Sequence, residues 1–135
     1  MRLLIVEDDT DVRDLLIELC EDEGYDADGA GSVAEATAAL RARPYDLLIL
    51  DLWLPDGSGS AVLRQLREVG SAVPAVVCSG WPDAVLRTRM FEAGADAVLE
   101  KPFSCTELIA RIHALLRHPR PGAAAGRGGV GLSAD

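Results

Sequence analysis

Four short runs of consecutive apolar residues punctuate the chain: Leu3 to Val6 (LLIV), Leu47 to Leu50 (LLIL), Ala75 to Cys78 (AVVC) and Ala97 to Leu99 (AVL). A weaker run, YDADGA, starts at Tyr25. Short runs that do not alternate with polar residues read as strands buried on both faces. Between them the apolar positions fall into a helical period. Val12, Leu15, Leu16 and Leu19 stand at i, i+3, i+4 and i+7, which predicts one apolar stripe on a helix starting after Asp9 or Thr10. The SVAE at Ser32 and the SCTE at Ser104 are capping-box patterns, each opening an apolar-periodic segment, and mark the second and fifth helices. Val62, Leu63 and Leu66 define a third helix. A fourth runs from about Asp83 to Ala93 and stops at Gly94.

This alternation of strand and helix, five times over, predicts an α/β fold with a parallel sheet covered on both faces. Right-handed crossovers point all strands the same way, so their C-terminal ends emerge along one edge. Glu7 and Asp8 follow the first strand, Asp51 ends the third, Ser79 ends the fourth and Lys101 follows the fifth. Open α/β sheets bind ligands at that edge. Five functional side chains from four separated segments are therefore expected to converge.

Composition narrows the class. With 135 residues, 49% of them hydrophobic, one domain with one core is expected. It should span residues 1–117, because from His118 the text becomes HPRPGAAAGRGGVGLSAD, too poor in large apolar residues to order itself. Residues 118–135 read as a flexible tail or linker. The net charge of −9 opposes a nucleic-acid phosphate backbone, so direct DNA binding by this chain is not expected. No apolar run approaches the roughly 20 residues of a membrane span, and no charged leader precedes a signal core, which predicts a soluble cytoplasmic protein. Cys20, Cys78 and Cys105 are odd in number and widely spaced, supporting neither a disulfide framework nor a zinc site. Cys20 and Cys78 read as small core residues. His113 and His118 read as solvent-facing, and Asp9 and Asp11 as first-turn helix charges.

Glu7, Asp8 and Asp51 in one crevice would repel, since two charges about 4 Å apart cost about 4 kcal/mol at an effective dielectric near 20. A cation must sit among them. Carboxylates without thiolate or imidazole suit a hard divalent ion, Mg²⁺ (or Mn²⁺) better than Ca²⁺. Lys101 adds a second positive charge, and Pro102 restricts the backbone that aims it. Metal, lysine and a hydroxyl around one carboxylate form a phosphoryl-transfer arrangement, with Asp51 as nucleophile, Ser79 donating to a phosphoryl oxygen and an acyl phosphate as product.

The stretches IVEDD, LLILDLWLPDGSG, VVCSG and EAGADAVLEKPF together resemble, in order and spacing, the receiver domain of two-component response regulators, of the chemotaxis-regulator-like kind, from about Arg2 to Arg117. The resemblance implies a flavodoxin-like doubly wound sheet of five strands, order 2-1-3-4-5, with five helices. It implies transfer of a phosphoryl group from the phosphohistidine of a sensor histidine kinase or phosphotransfer protein. No turnover substrate is implied, so the chain is not expected to be an enzyme. Residue by residue, it makes Asp51 the phosphoacceptor. Asp8, Asp51 and the Trp53 carbonyl become metal ligands, Glu7 a water-mediated metal contact, and Ser79 and Lys101 the phosphoryl-binding pair. Pro55 and Gly59 match the loop after the acceptor, where Gly59 would permit a tight turn.

Val98 stands where that family usually has Tyr or Phe, which puts readout by a swinging ring in question. In the DNA-binding subfamily the fourth and fifth helices dimerise through charge pairs. Here Arg87 could pair with Glu107, but Glu92 would meet His113 and Arg111 would face Ala97, so a monomer or a weak phosphorylation-dependent dimer is expected. Trp53 and Trp81 stand two residues after the acceptor and after the switch hydroxyl, where large rings could shield the acyl phosphate from water. Two rival readings are a dehalogenase-type phosphatase and a flavodoxin-like cofactor module. The first needs a second Asp where Trp53 stands, and the second needs a first loop that Glu7, Asp8 and Asp9 would not make attractive to phosphate. The downstream target is not legible in the chain. A first strand close to Met1 suits a stand-alone receiver or the front of a larger regulator.

Overall fold

The computed structural model describes residues 1–80 and 82–117. Trp81, His118 and the expected tail lie outside them. The elements follow in the order β1 (Arg2–Val6), α1 (Thr10–Asp22), β2 (Asp26–Ala30), α2 (Val33–Ala42), β3 (Leu47–Asp51), β4 (Trp53–Leu54), β5 (Gly57–Ser58), α3 (Gly59–Glu68), β6 (Ala75–Ser79), α4 (Ala84–Glu92), β7 (Ala97–Glu100) and α5 (Cys105–Arg117). Five strands form one parallel sheet in the order β2-β1-β3-β6-β7. Counting only those five, this is the expected 2-1-3-4-5 order.

The unalternating apolar strands are explained by two cores, one on each sheet face. Leu4, Val6, Leu48, Leu50, Ala75, Val77 and Val98 pack with residues of α2, α3 and α4 on one side. Their neighbours Leu3, Ile5, Leu47, Ile49, Val76, Cys78, Ala97 and Leu99 pack with α1 and α5 on the other. Strand side chains alternate in direction, so a strand covered on both faces must be apolar at every position. β3 and β6 are buried along their whole length and apolar up to their last residues, Asp51 and Ser79.

Caps fall where the sequence signals them. Asp9 caps α1, Ser32 accepts from the Glu35 amide at 3.0 Å, Asp83 caps α4, and Ser104 accepts from the Glu107 amide at 2.9 Å. Glu35 reaches back to the Gly31 amide at 2.7 Å, one residue earlier than a capping box would have it. Gly94 adopts φ 110 just beyond α4, the left-handed stop expected there.

The α1 stripe is rotated from its predicted setting. Leu16 and Cys20 are its buried centre, with Ile17 and Leu19 packed beside them, whereas Val12 and Leu15 are exposed, Leu15 by 58%. Cys20 shares the face with Leu16 at i+4, drawing the buried arc away from Leu15. Val12 belongs to the first turn. The segment after β3 also differs from expectation. It forms a two-rung antiparallel hairpin, Trp53 opposite Ser58 and Leu54 opposite Gly57, around Pro55 and Asp56. Gly59 is not its tight turn. Gly59 opens α3, and a Cβ there would collide with the Asp51 carbonyl, so the residue serves close backbone approach rather than a special φ.

Candidate functional site at the C-terminal edge of the sheet

Strand register alone brings the predicted residues together. Val6 is level with Leu50, which places Glu7 beside Asp51, and Asp51 is level with Cys78. Ser79 is level with Glu100, and the Lys101 amide donates to the Ser79 carbonyl at 2.7 Å. Glu7, Asp51 and Ser79 are buried, Lys101 is half-buried and Asp8 is exposed at the rim.

The Lys101 ammonium joins the two buried carboxylates, 2.9 Å from Glu7 Oε1 and 3.5 Å from Asp51 Oδ2. Burial pulls its pKa down, but the Glu7 hydrogen bond and the charges of Asp51 and Glu7 outweigh that and raise it above its ordinary value, so Lys101 stays a cation at neutral pH. Glu7 Oε2 accepts from the Asp9 amide at 3.3 Å, and the Glu7 carbonyl accepts from Arg13 Nη1 at 2.9 Å. Asp51 Oδ1 faces the Trp53 amide at 3.5 Å.

One carboxylate oxygen from each of Glu7, Asp8 and Asp51 lies within 4.8 Å of the others. Three carboxylates against one ammonium leave the crevice short of positive charge, and the donor set is oxygen throughout. Both features fit a hard divalent cation. Cys78 lies beneath, but burial first, then Asp51 and Glu7 against the opposing pull of Lys101, push its thiol up to about 12, so it offers no thiolate.

The profile of the response regulator receiver domain matches residues 3–113. The chain belongs to that family. This receiver is 41% identical over 117 residues to the transcriptional regulatory protein PmrA of Pectobacterium parmentieri, covering 87% of this chain and 53% of that one. It is 38% identical over 121 residues to the response regulator MprA of Mycobacterium avium, covering 90% and 53%. Among solved structures it resembles the non-phosphorylated HemR receiver domain of Leptospira biflexa, with a TM-score of 0.83, 32% identity, and 89% and 97% of the two chains covered. The chain spans about half the length of the curated relatives it matches. It is thus a receiver domain of two-component response regulators, and among the described residues no helix is long and apolar enough to cross a membrane.

The remaining predicted positions sit around this receiver's edge. Val98 is buried on β7 level with Val77, and its carbonyl accepts from Arg87 Nη1 at 3.3 Å. Arg87 also lies 3.9 Å from Glu100, so its guanidinium is engaged within the chain. Glu92, Glu107 and Arg111 are exposed. One expectation about this flank is corrected. His113 is not merely solvent-facing: Nε2 lies 3.3 Å from Glu23 Oε1 and the ring stands edge-on to Tyr25, which ties α5 to the end of α1. Ala97 is buried on β7 in the cluster that holds Leu3, Val76 and Leu108.

Trp53 is 70% exposed. Sequence reasoning missed Asp56, whose carboxylate holds the start of α2. Its position after Pro55 in a PDG turn signalled a bend. The partners, 23 and 22 residues away, had no local signature.

Proposed function

We propose that this receiver accepts a phosphoryl group on Asp51 from the phosphohistidine of a sensor histidine kinase or phosphotransfer protein. The observation that carries the reading is the Lys101 ammonium spanning the buried carboxylates of Glu7 and Asp51, with Asp8 completing an oxygen cluster. An Asp51 oxygen attacks phosphorus, an O–P bond forms, the P–N bond breaks, and the imidazole nitrogen keeps its electron pair and takes a proton. Lys101 turns from the carboxylates toward the phosphoryl oxygens, and the Ser79 hydroxyl donates to one of them. Glu7, Asp8, Asp51 and the Trp53 carbonyl would hold Mg²⁺ or Mn²⁺, which when bound supplies charge for the phosphoryl oxygens.

The product is a signal rather than a turnover intermediate, because Trp53 stands where a phosphatase of this chemistry would carry its general acid. Switching runs through Ser79 and its loop, since Val98 is a packed, β-branched residue with no ring to rotate. The activated state dimerises weakly at most: Arg87 is engaged in its own chain, His113 is held by Glu23, and Arg111 lacks the acid opposite it. Light scattering of the protein with a beryllofluoride mimic tests this, and a tight dimer disrupted by Arg87→Glu would refute it. Residues 1–117 form the receiver and 118–135 a tail or linker in a cytoplasmic regulator, and the net charge of −9 opposes direct contact of this chain with DNA.

Intact mass after incubation with Mg²⁺ and a small phosphodonor decides the main point. The wild type should gain one phosphoryl group and Asp51→Asn none. Equal labelling of the two would overturn the acceptor assignment.

A further inference from the structure

The β4–β5 hairpin leaves the acceptor strand one residue after Asp51. A ribbon of two rungs is marginal by itself, so its setting depends on what holds its two ends. The inner end is secured by the Gly59 amide, which donates to the Leu52 carbonyl at 2.8 Å, and on the outer rung Leu54 packs into the core. The outer end is the Pro55–Asp56 turn. There the Asp56 carboxylate reaches α2 and takes two amides at once, Val33 to Oδ1 at 2.8 Å and Ala34 to Oδ2 at 3.0 Å.

These amides belong to the first turn of α2, where no helical carbonyl is available to them. Ser32 already serves the amide of Glu35. Asp56 is fully exposed, yet the Val33 and Ala34 bonds lower its pKa from 3.8, so it stays ionised where the receiver works. An anion at a helix N-terminus is also the charge the helix dipole favours. A side chain from the hairpin tip therefore completes the cap of a helix that begins 23 residues earlier.

We infer that Asp56 is a positioning residue for the chemistry at Asp51. By fastening the hairpin tip to α2 it fixes Trp53 at the hairpin base, whose amide faces Asp51 Oδ1 at 3.5 Å and whose carbonyl belongs to the proposed metal set. The inference rests on the reading of Asp51 as phosphoacceptor. A carboxylate that only capped α2 would affect stability and nothing at the acceptor.

The test is the rate at which the protein gains a phosphoryl group from a small phosphodonor, measured across Mg²⁺ concentrations. It compares wild type, Asp56→Ala, Asp56→Asn, Val33→Pro and the Val33→Pro/Asp56→Ala double variant. Val33 is the first residue of α2, where proline is well accommodated, and Ser32 before it is extended (φ −157, ψ 168), as proline requires. Val33→Pro thus deletes one donor to Asp56 and leaves the hairpin sequence untouched. Asp56→Ala should slow transfer by on the order of tenfold and raise the Mg²⁺ requirement, as misplacement of a reacting group does. Asp56→Asn, which keeps one acceptor oxygen and the side-chain size, should fall between. Val33→Pro should show part of the loss, and the double variant should be no slower than Asp56→Ala. The inference is overturned if Asp56→Ala and Asp56→Asn react at the wild-type rate and Mg²⁺ dependence while only their melting temperatures fall, or if the Val33→Pro and Asp56→Ala losses add. A wild type that gains no phosphoryl group overturns this inference and the acceptor reading together, whereas unaffected variants beside a labelled wild type overturn this one alone.

Discussion

Asp51→Asn should make the metal-free receiver more stable. The substitution keeps the side-chain shape and removes one charge. In the wild type Asp51 is 7% exposed, and taking its carboxylate out of water costs several kcal/mol. Oxygens of Glu7 and Asp51 lie within 4.8 Å, a repulsion of at least about 3 kcal/mol at an effective dielectric near 20. Asp8 adds to it, screened by its exposure. Opposing these is Lys101, 3.5 Å away, worth about 5 kcal/mol on the same scale. Desolvation and repulsion together exceed that attraction, so the Asn variant should gain on the order of 2 kcal/mol. Urea unfolding in the presence of a chelator measures it. In excess Mg²⁺ the ranking should reverse, because ligand at about 100 times its Kd adds about 2.7 kcal/mol to the wild type and little to the variant. A variant less stable than wild type under chelation would refute the reasoning, since it would mean that Lys101 more than neutralises the crevice.

Gly59→Ala should cost at least about 2 kcal/mol in urea unfolding and slow phosphoryl transfer, because its Cβ would press on the Asp51 carbonyl; a neutral effect would show that the β3–α3 contact yields freely. Burial first, then Glu21 and Glu23, push the Cys20 thiol up to about 11 from 9.0, and Cys78 rises to about 12. Above pH 9 the unfolded chain therefore binds fewer protons than the folded one, and stability should fall as pH rises toward 11 to 12. Cys20→Ala should flatten that slope, and an unchanged slope would assign it to other groups. Exposed Cys105 should react with a thiol reagent in the native protein while Cys20 and Cys78 react only on unfolding; three fast thiols would contradict the burial. For the phosphorylated receiver, Trp53→Asn and Trp81→Glu should hasten phosphate loss if the rings shield the acyl phosphate, and unchanged rates would remove both from the water path.

The site was more legible than its surroundings, for a physical reason. Parallel strands share one direction, so a chemical residue at the end of each apolar run must arrive at the same edge, and Glu7, Asp51, Ser79 and Lys101 did. Strand order needed the resemblance, because nothing in LLIV or LLIL says which strand is its neighbour. The α1 stripe was misjudged at Leu15 because periodicity gives a face only to within a residue or so, and a small Cys20 shifted its centre. His113 was misread because its partners, Glu23 and Tyr25, lie about 90 positions earlier in the chain. Asp56 escaped for the same reason: turn chemistry is local, but what a turn side chain reaches is tertiary.

The bond between Lys101 and Glu7 closes a loop of 94 residues, from just beyond the first strand to just beyond the last. Contacts of such separation form only once the intervening chain has been ordered, and parallel pairing makes that slow. A ribosome-bound chain that has not yet emerged through Lys101 would hold the Glu7 and Asp51 carboxylates together without their ammonium, which opposes closure of that edge. The site is therefore completed late in folding: its two buried carboxylates gain their ammonium only when the last strand of the sheet, β7, has docked.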